Sequence, residues 1–324
     1  GTGSSQAITG VGFQPDWVWT KGRSVAYSHY LFDSSRGVEK RLMANNTNAE
    51  DTLSNGLTAF GTDGFTHGGE AGMGENTKTF VAWNWKANGG TTVTNEAGSI
   101  DSTVQANTDA GFSIVTFAAD NTAGRTVGHG LGVAPKMIIT KGRAQTTAWY
   151  IYNYHIGAGN YLVLNTTAGS ATSTGLWGNT HPTSSVFTIG NNDSGYNSGG
   201  ANDALAYCFA EVEGYSKIGS YIGNGVVDGT FVYTGFRPAF IMFKTTTIVS
   251  HWTIVDNARS TYNVVDDSLY ADTSAAELTT ITDVDFLSNG FKWRGVLANE
   301  TNVNGQVYIY MAFAEAPFKY ANAR

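Results

Sequence analysis

Apolar and polar residues alternate along many short stretches of this chain. In "DWVWTK", "KMIITK" and "WYIYNY" the side chains of one face recur at every second position, which is typical of β-strands with one buried face. Glycine and polar turn residues separate these stretches at short intervals. Helical periodicity is nearly absent, and the best candidate is "TSAAELTT" at 273–280, for one or two turns. The pattern predicts an all-β fold.

A similar strand and turn occur three times in the sequence. The stretches "FQPDWVWTKGR", "VAPKMIITKGR" and "YTGFRPAFIMFKTT" keep one spacing between a proline and a lysine, at Pro15 and Lys21, Pro135 and Lys141, and Pro238 and Lys244. Further landmarks follow in order, and each copy closes on an aromatic strand: "FVAWNWKA", "LAYCFAEVEG" and "IYMAFAEAPF". We predict three tandem β-sandwich-like repeats of about 100 residues each. Because the proline and lysine recur in every copy, we interpret them as structural.

The landmarks place repeat 1 at 1–90, a polar connector at 91–110, repeat 2 at 111–214 and repeat 3 at 215–324. A leading strand, "GFSIVTFAADN" or "YSKIGSYIGNG", precedes the proline motif of repeats 2 and 3, whereas repeat 1 has only "GTGSS" there. We therefore expect residue 1 to lie inside a longer protein. We also expect an exposed sheet edge in repeat 1 that another segment covers.

Composition narrows the function classes. The net charge is −7 and no basic stripe occurs, which argues against nucleic acid as a partner. The chain has no apolar run of the ~20 residues that a membrane span needs, so no membrane is expected. The single cysteine, Cys208, lies in the apolar run "ALAYCFAE" and is expected to be buried.

Candidate catalytic groups are few, and we assign no catalytic residue. Asp33 and Arg36 recur as Asp256 and Arg259, which indicates a turn motif or an ion pair in two of the copies. Glu211 and Glu213 would lie side by side on one strand, at a spacing near that of retaining glycosidases, roughly 5–5.5 Å. Glu211 however has a counterpart in Glu315 of the third copy, which favours a structural role.

Metal sites and cofactors find little support. The histidines have no zinc-binding spacing, and no cofactor is predicted. Calcium is left open near "TDVDFLSNG", where Asp283, Asp285 and Asn289 offer oxygen ligands without an EF-hand pattern.

A glycan-binding loop is the most specific candidate site. Sugar recognition uses a flat aromatic ring together with amide or hydroxyl groups. In "TSTGLWGNTHPTSSVF" the ring of Trp177 stands between glycines and precedes Asn179 and His181. We predict weak glycan binding at these three residues. The alternative is that Trp177 folds back onto its own sandwich.

The landmarks "GFQPDWVWTKGR", "LFDSSRG", "DGFTHGG", "TVGHGLGVAPKMIITKGR" and "AYCFAEVEGYSKIGSYIGNG" resemble a repeat domain of uncharacterised function. It is similar to repeats in large virion proteins, often tail-fibre-like, of marine and environmental bacteriophages. The resemblance covers nearly the whole chain. It implies a non-enzymatic protein at the virion surface, outside the cell, that attaches to host glycans or receptors and contacts other virion proteins. It supplies no catalytic residues.

Two alternatives stay open at this point: a tailspike-type polysaccharide-degrading enzyme and a cellular carbohydrate-binding adhesin. Phage fibres are usually homo-oligomers, commonly trimers, because closed symmetry multiplies weak contacts. We expect a homo-oligomer here as well.

Overall fold

The computed structural model describes residues 1–190, 196–197, 202–279, 283–297 and 300–316, and the fold is all-β, as predicted. Over these ranges helix is limited to the single turns α1 (Ala71–Gly74) and α2 (Thr174–Trp177) and a 3₁₀ turn at Tyr154–Ile156. None of these is long and apolar enough to cross a membrane. The helix expected at "TSAAELTT" does not form over its described part, because Glu277 and Leu278 bond instead to the backbone of Arg23 and Ser268.

The first part of the chain forms a five-stranded and a three-stranded antiparallel sheet. We call the five-stranded sheet, in the order β5-β4-β3-β2-β8, sheet A; the smaller one has the order β1-β7-β6. The strands are β1 (Gln6–Thr9), β2 (Trp17–Gly22), β3 (Tyr30–Asp33), β4 (Lys40–Met43), β5 (Asp51–Thr52), β6 (Leu57–Gly61), β7 (Gly64–His67) and β8 (Phe80–Trp85).

The middle part forms an eight-stranded and a two-stranded sheet. We call the larger, in the order β16-β15-β14-β13-β18-β11-β10-β9, sheet B; β12 and β17 form the smaller. The strands are β9 (Val93–Asn95), β10 (Ser102–Asn107), β11 (Phe112–Ala119), β12 (Arg125–Gly128), β13 (Met137–Gly142), β14 (Tyr150–Asn153), β15 (Asn160–Val163), β16 (Ala171–Thr172), β17 (Val186–Ile189) and β18 (Asn202–Phe209).

The last part again forms a five-stranded and a three-stranded sheet. We call the larger, in the order β19-β26-β21-β22-β23, sheet C; the smaller has the order β20-β25-β24. The strands are β19 (Ser216–Ile222), β20 (Phe231–Tyr233), β21 (Pro238–Thr245), β22 (Thr253–Asp256), β23 (Leu269–Tyr270), β24 (Val284–Leu287), β25 (Gly290–Trp293) and β26 (Val307–Ala314).

Sheets A, B and C share one internal strand order. The order β4-β3-β2-β8 of sheet A corresponds to β15-β14-β13-β18 and β23-β22-β21-β26. In each sheet one residue pairs with an aromatic residue of the closing strand: Trp17 pairs with Trp85, Met137 with Phe209 and Phe240 with Phe313. A buried proline lies two residues before Trp17, Met137 and Phe240. The number and the boundaries of the repeats stay a prediction.

The segment predicted to be a polar connector contributes two strands instead. β9 and β10 add to the β11 edge of sheet B. Val104 is buried in the core under sheet B, and Gln105 is fully buried and donates to the hydroxyls of Ser34 (3.0 Å) and Ser35 (2.7 Å). These contacts give a sequence rich in Thr, Asn and Gly enough partners to hold strand geometry.

One central core joins the three large sheets. Its buried residues come from β2, β3, β4 and β8 of sheet A, from β11, β13, β14, β15 and β18 of sheet B, and from β19, β21, β22, β23 and β26 of sheet C. Three separate clusters lie on the outer faces, between each large sheet and its smaller sheet. Every large sheet is thus covered on both faces, in a sandwich-like manner.

Contacts between the sheets run in one direction around this core. The Nζ atom of Lys21 donates to Ser274 O (3.3 Å), that of Lys141 to Thr47 O (3.1 Å) and that of Lys244 to Thr167 O (3.0 Å). Backbone hydrogen bonds follow the same cycle. The N–H of Glu277 donates to Arg23 O, that of Glu50 to Arg143 O and that of Ser170 to Thr246 O, each at 2.8 Å. Sheet A contacts C, B contacts A and C contacts B, so the cycle of contacts is closed.

The junction of sheets A and B contains a buried ion network. The guanidinium of Arg36 binds Asp33 and Glu50 (2.9 Å), and Glu50 also binds Arg143 (2.9 Å). The hydroxyl of Tyr207, on β18, donates to Asp33 (2.7 Å). Burial alone would raise the pKa of Glu50, but hydrogen bonds from Arg143 and the charge of Arg36 hold it below its usual value.

The junction of sheets A and C contains the same network. Arg259 binds Asp256 (2.7 Å) and Glu277 (2.7 Å), and Glu277 binds Arg23 (2.7 Å). The indole of Trp83, on β8, donates to Asp256 (3.0 Å). Each aspartate also accepts from the backbone N–H three residues later. The interpretation of the recurring Asp–Arg pair as a turn motif with an ion pair is confirmed.

The junction of sheets B and C has none of these charges. Its corresponding residues are Asn153, Ile156, Ser170, Thr246 and Met311. The Ser170 N–H and hydroxyl both donate to Thr246 O (2.8 and 3.0 Å). The amide nitrogen of Asn153 is buried without a hydrogen-bond partner. The same geometry is therefore built once from neutral side chains.

Candidate functional site

The ring of Trp177 is buried and folds back onto its own sandwich, which is the alternative to the predicted glycan-binding position. The one-turn helix α2 ends at Gly178 in the left-handed region (φ 56°) and turns the indole inward. The Trp177 side chain is 1% exposed, stacks on Tyr196 (5.6 Å between centroids) and meets Tyr152 edge-on (5.7 Å). Gly175 and Gly178 permit a tight turn but do not decide which way the ring points. The indole is not available to stack on a sugar in this conformation.

The other two residues of the predicted site lie at the surface. Asn179 and His181 are exposed, and His181 Nδ1 lies 2.6 Å from the Tyr152 hydroxyl. The exposed ring beside His181 is that of Tyr154 (5.1 Å between centroids), which also has the Lys136 amine 3.5 Å from its centroid. The structure thus brings His181 to Tyr154, which the sequence reasoning did not select. Glycan binding at this loop stays a prediction.

A polar cleft of about 520 Å³ lies where β18, β19 and β20 meet. We call it the acidic cleft; it is lined by Glu211, Glu213, Gly214, Ser216, Lys217, Tyr233, Thr234 and Gly235. Tyr233 ends the short strand β20, whose residues are exposed, buried and exposed in turn, and Tyr233 as a whole is 65% exposed. The alternation in "TFVYTG" is the signal that could have placed this ring at the surface.

The charges of the acidic cleft are partly paired. Glu211 binds Lys217 (3.1 Å) and accepts from the backbone N–H of Ile218 (3.1 Å), while Glu213 is exposed. Glu315, the counterpart of Glu211, lies outside the cleft lining and binds Arg237 (2.9 Å). The cleft therefore offers a flat ring, a carboxylate at the surface, an amine and hydroxyl groups. Such groups can stack on a sugar ring and bond to its hydroxyls.

Two of the residues left open for calcium have protein partners of their own. Asp285 is 9% exposed and its carboxylate binds Arg294, while the carbonyl of Asn289 accepts from Thr234 N (3.0 Å). Across the described ranges no group of three or more His, Cys, Asp or Glu side chains could hold a metal ion. Cys208 is buried in the core, as expected, and its burial raises the thiol pKa.

Comparison with known protein families gives a match over nearly the whole chain. A model of a family described as a domain of unknown function, DUF7483, matches residues 1–317. The chain belongs to this family. No curated protein and no solved structure matches it. The match covers sheets A, B and C, and the family description assigns no activity to them.

Proposed function

We propose that this chain is a non-enzymatic protein of a bacteriophage virion surface, a tail-fibre, receptor-binding or decoration protein, that attaches to host glycans. The resemblance of its landmarks to virion repeats supports the setting. The closed cycle of buried contacts between three sheets supports a rigid role. Attachment through several weak sites on a homo-oligomer would give useful avidity.

The observation that carries the binding proposal is the exposed ring of Tyr233 in the acidic cleft. A phenol ring held beside Glu213, Lys217 and Thr234 matches the needs of a sugar, with an apolar face for the ring and acceptors and donors for its hydroxyls. Tyr233 takes the place that we first assigned to Trp177. The ligand class is unchanged, because only the position of the ring differs.

A glycan array scored with the labelled chain tests this proposal. We expect Tyr233→Ala to lose binding by about fivefold, since stacking of one ring is worth about 1 kcal/mol. Tyr262→Ala is the matched control, because Tyr262 is also exposed (83%) but does not line the acidic cleft. Equal binding by both variants, or no binding by the parent protein, would reject the cleft as a glycan site.

One observation favours an enzyme as the second candidate: Glu211 and Glu213 line the same cleft. A glycosidase needs one carboxyl as acid and one as base or nucleophile, whereas here the Glu211 carboxylate already binds Lys217. A reducing-end assay on algal and bacterial polysaccharides separates the candidates. Release of oligosaccharides that stops in Glu211→Gln and Glu213→Gln would replace the attachment proposal by a polysaccharide-degrading one.

A further inference from the structure

One edge of sheet A lacks the strand that its counterparts carry. In sheet B the closing strand β18 lies between β13 and β11, and in sheet C the closing strand β26 lies between β21 and β19. Among the described residues the closing strand of sheet A, β8, pairs with β2 alone. Four of its six residues are half-buried, whereas the described side chains of β18 are all buried.

The free edge of β8 presents backbone groups from alternate residues. Trp85 O accepts from Asp16 N (2.8 Å) on the β2 side. Since successive residues of a strand direct their backbone groups to opposite sides, Ala82 and Asn84 face away from β2. The Asn84 side chain folds back onto Ala82 O (3.2 Å), and its own Oδ1 is buried without a partner. An unpartnered buried oxygen at a strand edge indicates that a donor is missing there.

An apolar groove of about 480 Å³ runs along this edge. One wall is β8, with Trp83 and Trp85, and the other is formed by Phe240, Phe313 and Ala258. Ala258 occupies the position in sheet C that His155 occupies in sheet B. There the ring of His155 lies against the leading strand of sheet C, with Nε2 3.0 Å from Ile218 O. The groove is therefore the place in sheet A that β19 fills in sheet C.

We propose that the groove binds an extended segment of another polypeptide, which adds to sheet A as a strand antiparallel to β8. Addition of a strand to an open edge gains its affinity from backbone hydrogen bonds and its specificity from alternate side chains. The pairing of β11 with β18 and of β19 with β26 shows which residues such a strand carries. A bound strand would also protect the apolar edge of β8 from nonspecific pairing.

The two precedents agree on the chemistry of the occupant. Opposite the position of Trp83 they carry Ile114 and Ile218, both buried in the central core. Opposite the position of Asn84 they carry Ser113 and Lys217. The segment should therefore carry an aliphatic residue facing Trp83, and beside it a hydroxyl or amine that can donate to Asn84 Oδ1.

The probe is the labelled peptide EGYSKIGSYIGN, residues 213–224 of this chain, titrated into the whole protein by fluorescence anisotropy. We expect saturable binding and slower hydrogen exchange of the Ala82 and Asn84 amides. The peptide with Ile218→Asp should bind about tenfold more weakly, because it places a charge in the core. The protein variant Ala82→Pro removes one outward N–H without touching the β2 ladder, and should bind about tenfold more weakly as well.

Several results would overturn the proposal. They are the absence of saturable binding, equal binding by Ala82→Pro, and exchange protection elsewhere than at β8. Self-association with the same amides protected would support the proposal and identify a second copy as the occupant. Protection only when the peptide is fused ahead of Gly1 would contradict the proposal, because the strand would then belong to the same chain. If Ala82→Pro does not fold, the exchange of Ala82 and Asn84 in the parent protein decides the question.

Discussion

Two of the three junctions around the central core are ionic and the third is neutral. At the junction of sheets A and B, Arg36, Asp33, Glu50, Arg143 and Tyr207 bond in one network. The corresponding positions between sheets B and C hold Ile156, Asn153, Ser170, Thr246 and Met311. The backbone bond across the junction keeps the same length, 2.8 Å, in both. The charged groups are therefore not required for the geometry.

All members of the network differ together between the two kinds of junction. A buried charge without its partner costs several kcal/mol, whereas a complete ion network and a neutral replacement can have similar stability. The buried arginines Arg36 and Arg259 occur only with both acids present. At each of the three junctions the ion network is therefore either complete or absent as a whole. We infer that its parts stabilise one another more than they stabilise the fold.

The largest expected effect comes from removing one member of a network. Arg36→Met leaves the buried Asp33 carboxylate without its main partner, so we expect the free energy of unfolding to fall by about 3–5 kcal/mol. The measurement is urea unfolding at neutral pH. Arg41→Met is the control, because the Arg41–Asp51 pair is half exposed on the Asp51 side and should change stability by less than about 1 kcal/mol. Similar losses in both variants would contradict the distinction.

The lysines that recur at all three junctions predict a pH effect. Burial lowers the pKa of Lys141 to about 7 and those of Lys21 and Lys244 to about 8. Between these values and the ordinary 10.5, the unfolded chain binds more protons than the folded one. Stability should therefore rise as the pH increases from 7 towards 10.

Unfolding followed across this pH range tests the effect. The slope should be smaller in Lys141→Met, since that variant lacks one of the three groups. A slope of opposite sign, or one that Lys141→Met does not change, would show that the lysines stay charged in the folded protein.

The sequence predicts the parts of this fold that depend on local pattern. Alternation and turn residues mark the strands around Trp17, Met137 and Phe240, and the recurring Asp–Arg pair marks its turn. The strands β9 and β10 escape notice because their apolar residues are few and their partners, such as Ser34, are distant in sequence. The direction of the Trp177 ring depends on packing against Tyr196, which no local pattern shows.

For the candidate site too, some residues can be found from the sequence, but their arrangement in space cannot. Glu211 and Glu213 are visible as a pair in the sequence, but their closeness to Tyr233 is a result of tertiary structure. The cyclic contacts of Lys21, Lys141 and Lys244 are likewise invisible, although their recurrence is plain. Their recurrence in the sequence favours a role in the fold, and only the structure gives their partners.

The most direct test of the account converts an ionic junction into the neutral one. The variant combines Asp33→Asn, Arg36→Ile, Glu50→Ser, Arg143→Thr and Tyr207→Met, the residues that the chain itself uses between sheets B and C, and it leaves the net charge unchanged. We predict a free energy of unfolding within about 1–2 kcal/mol of the parent protein, well above that of Arg36→Met alone. A loss as large as the sum of the single substitutions would contradict the account, because the network would then contribute to stability residue by residue.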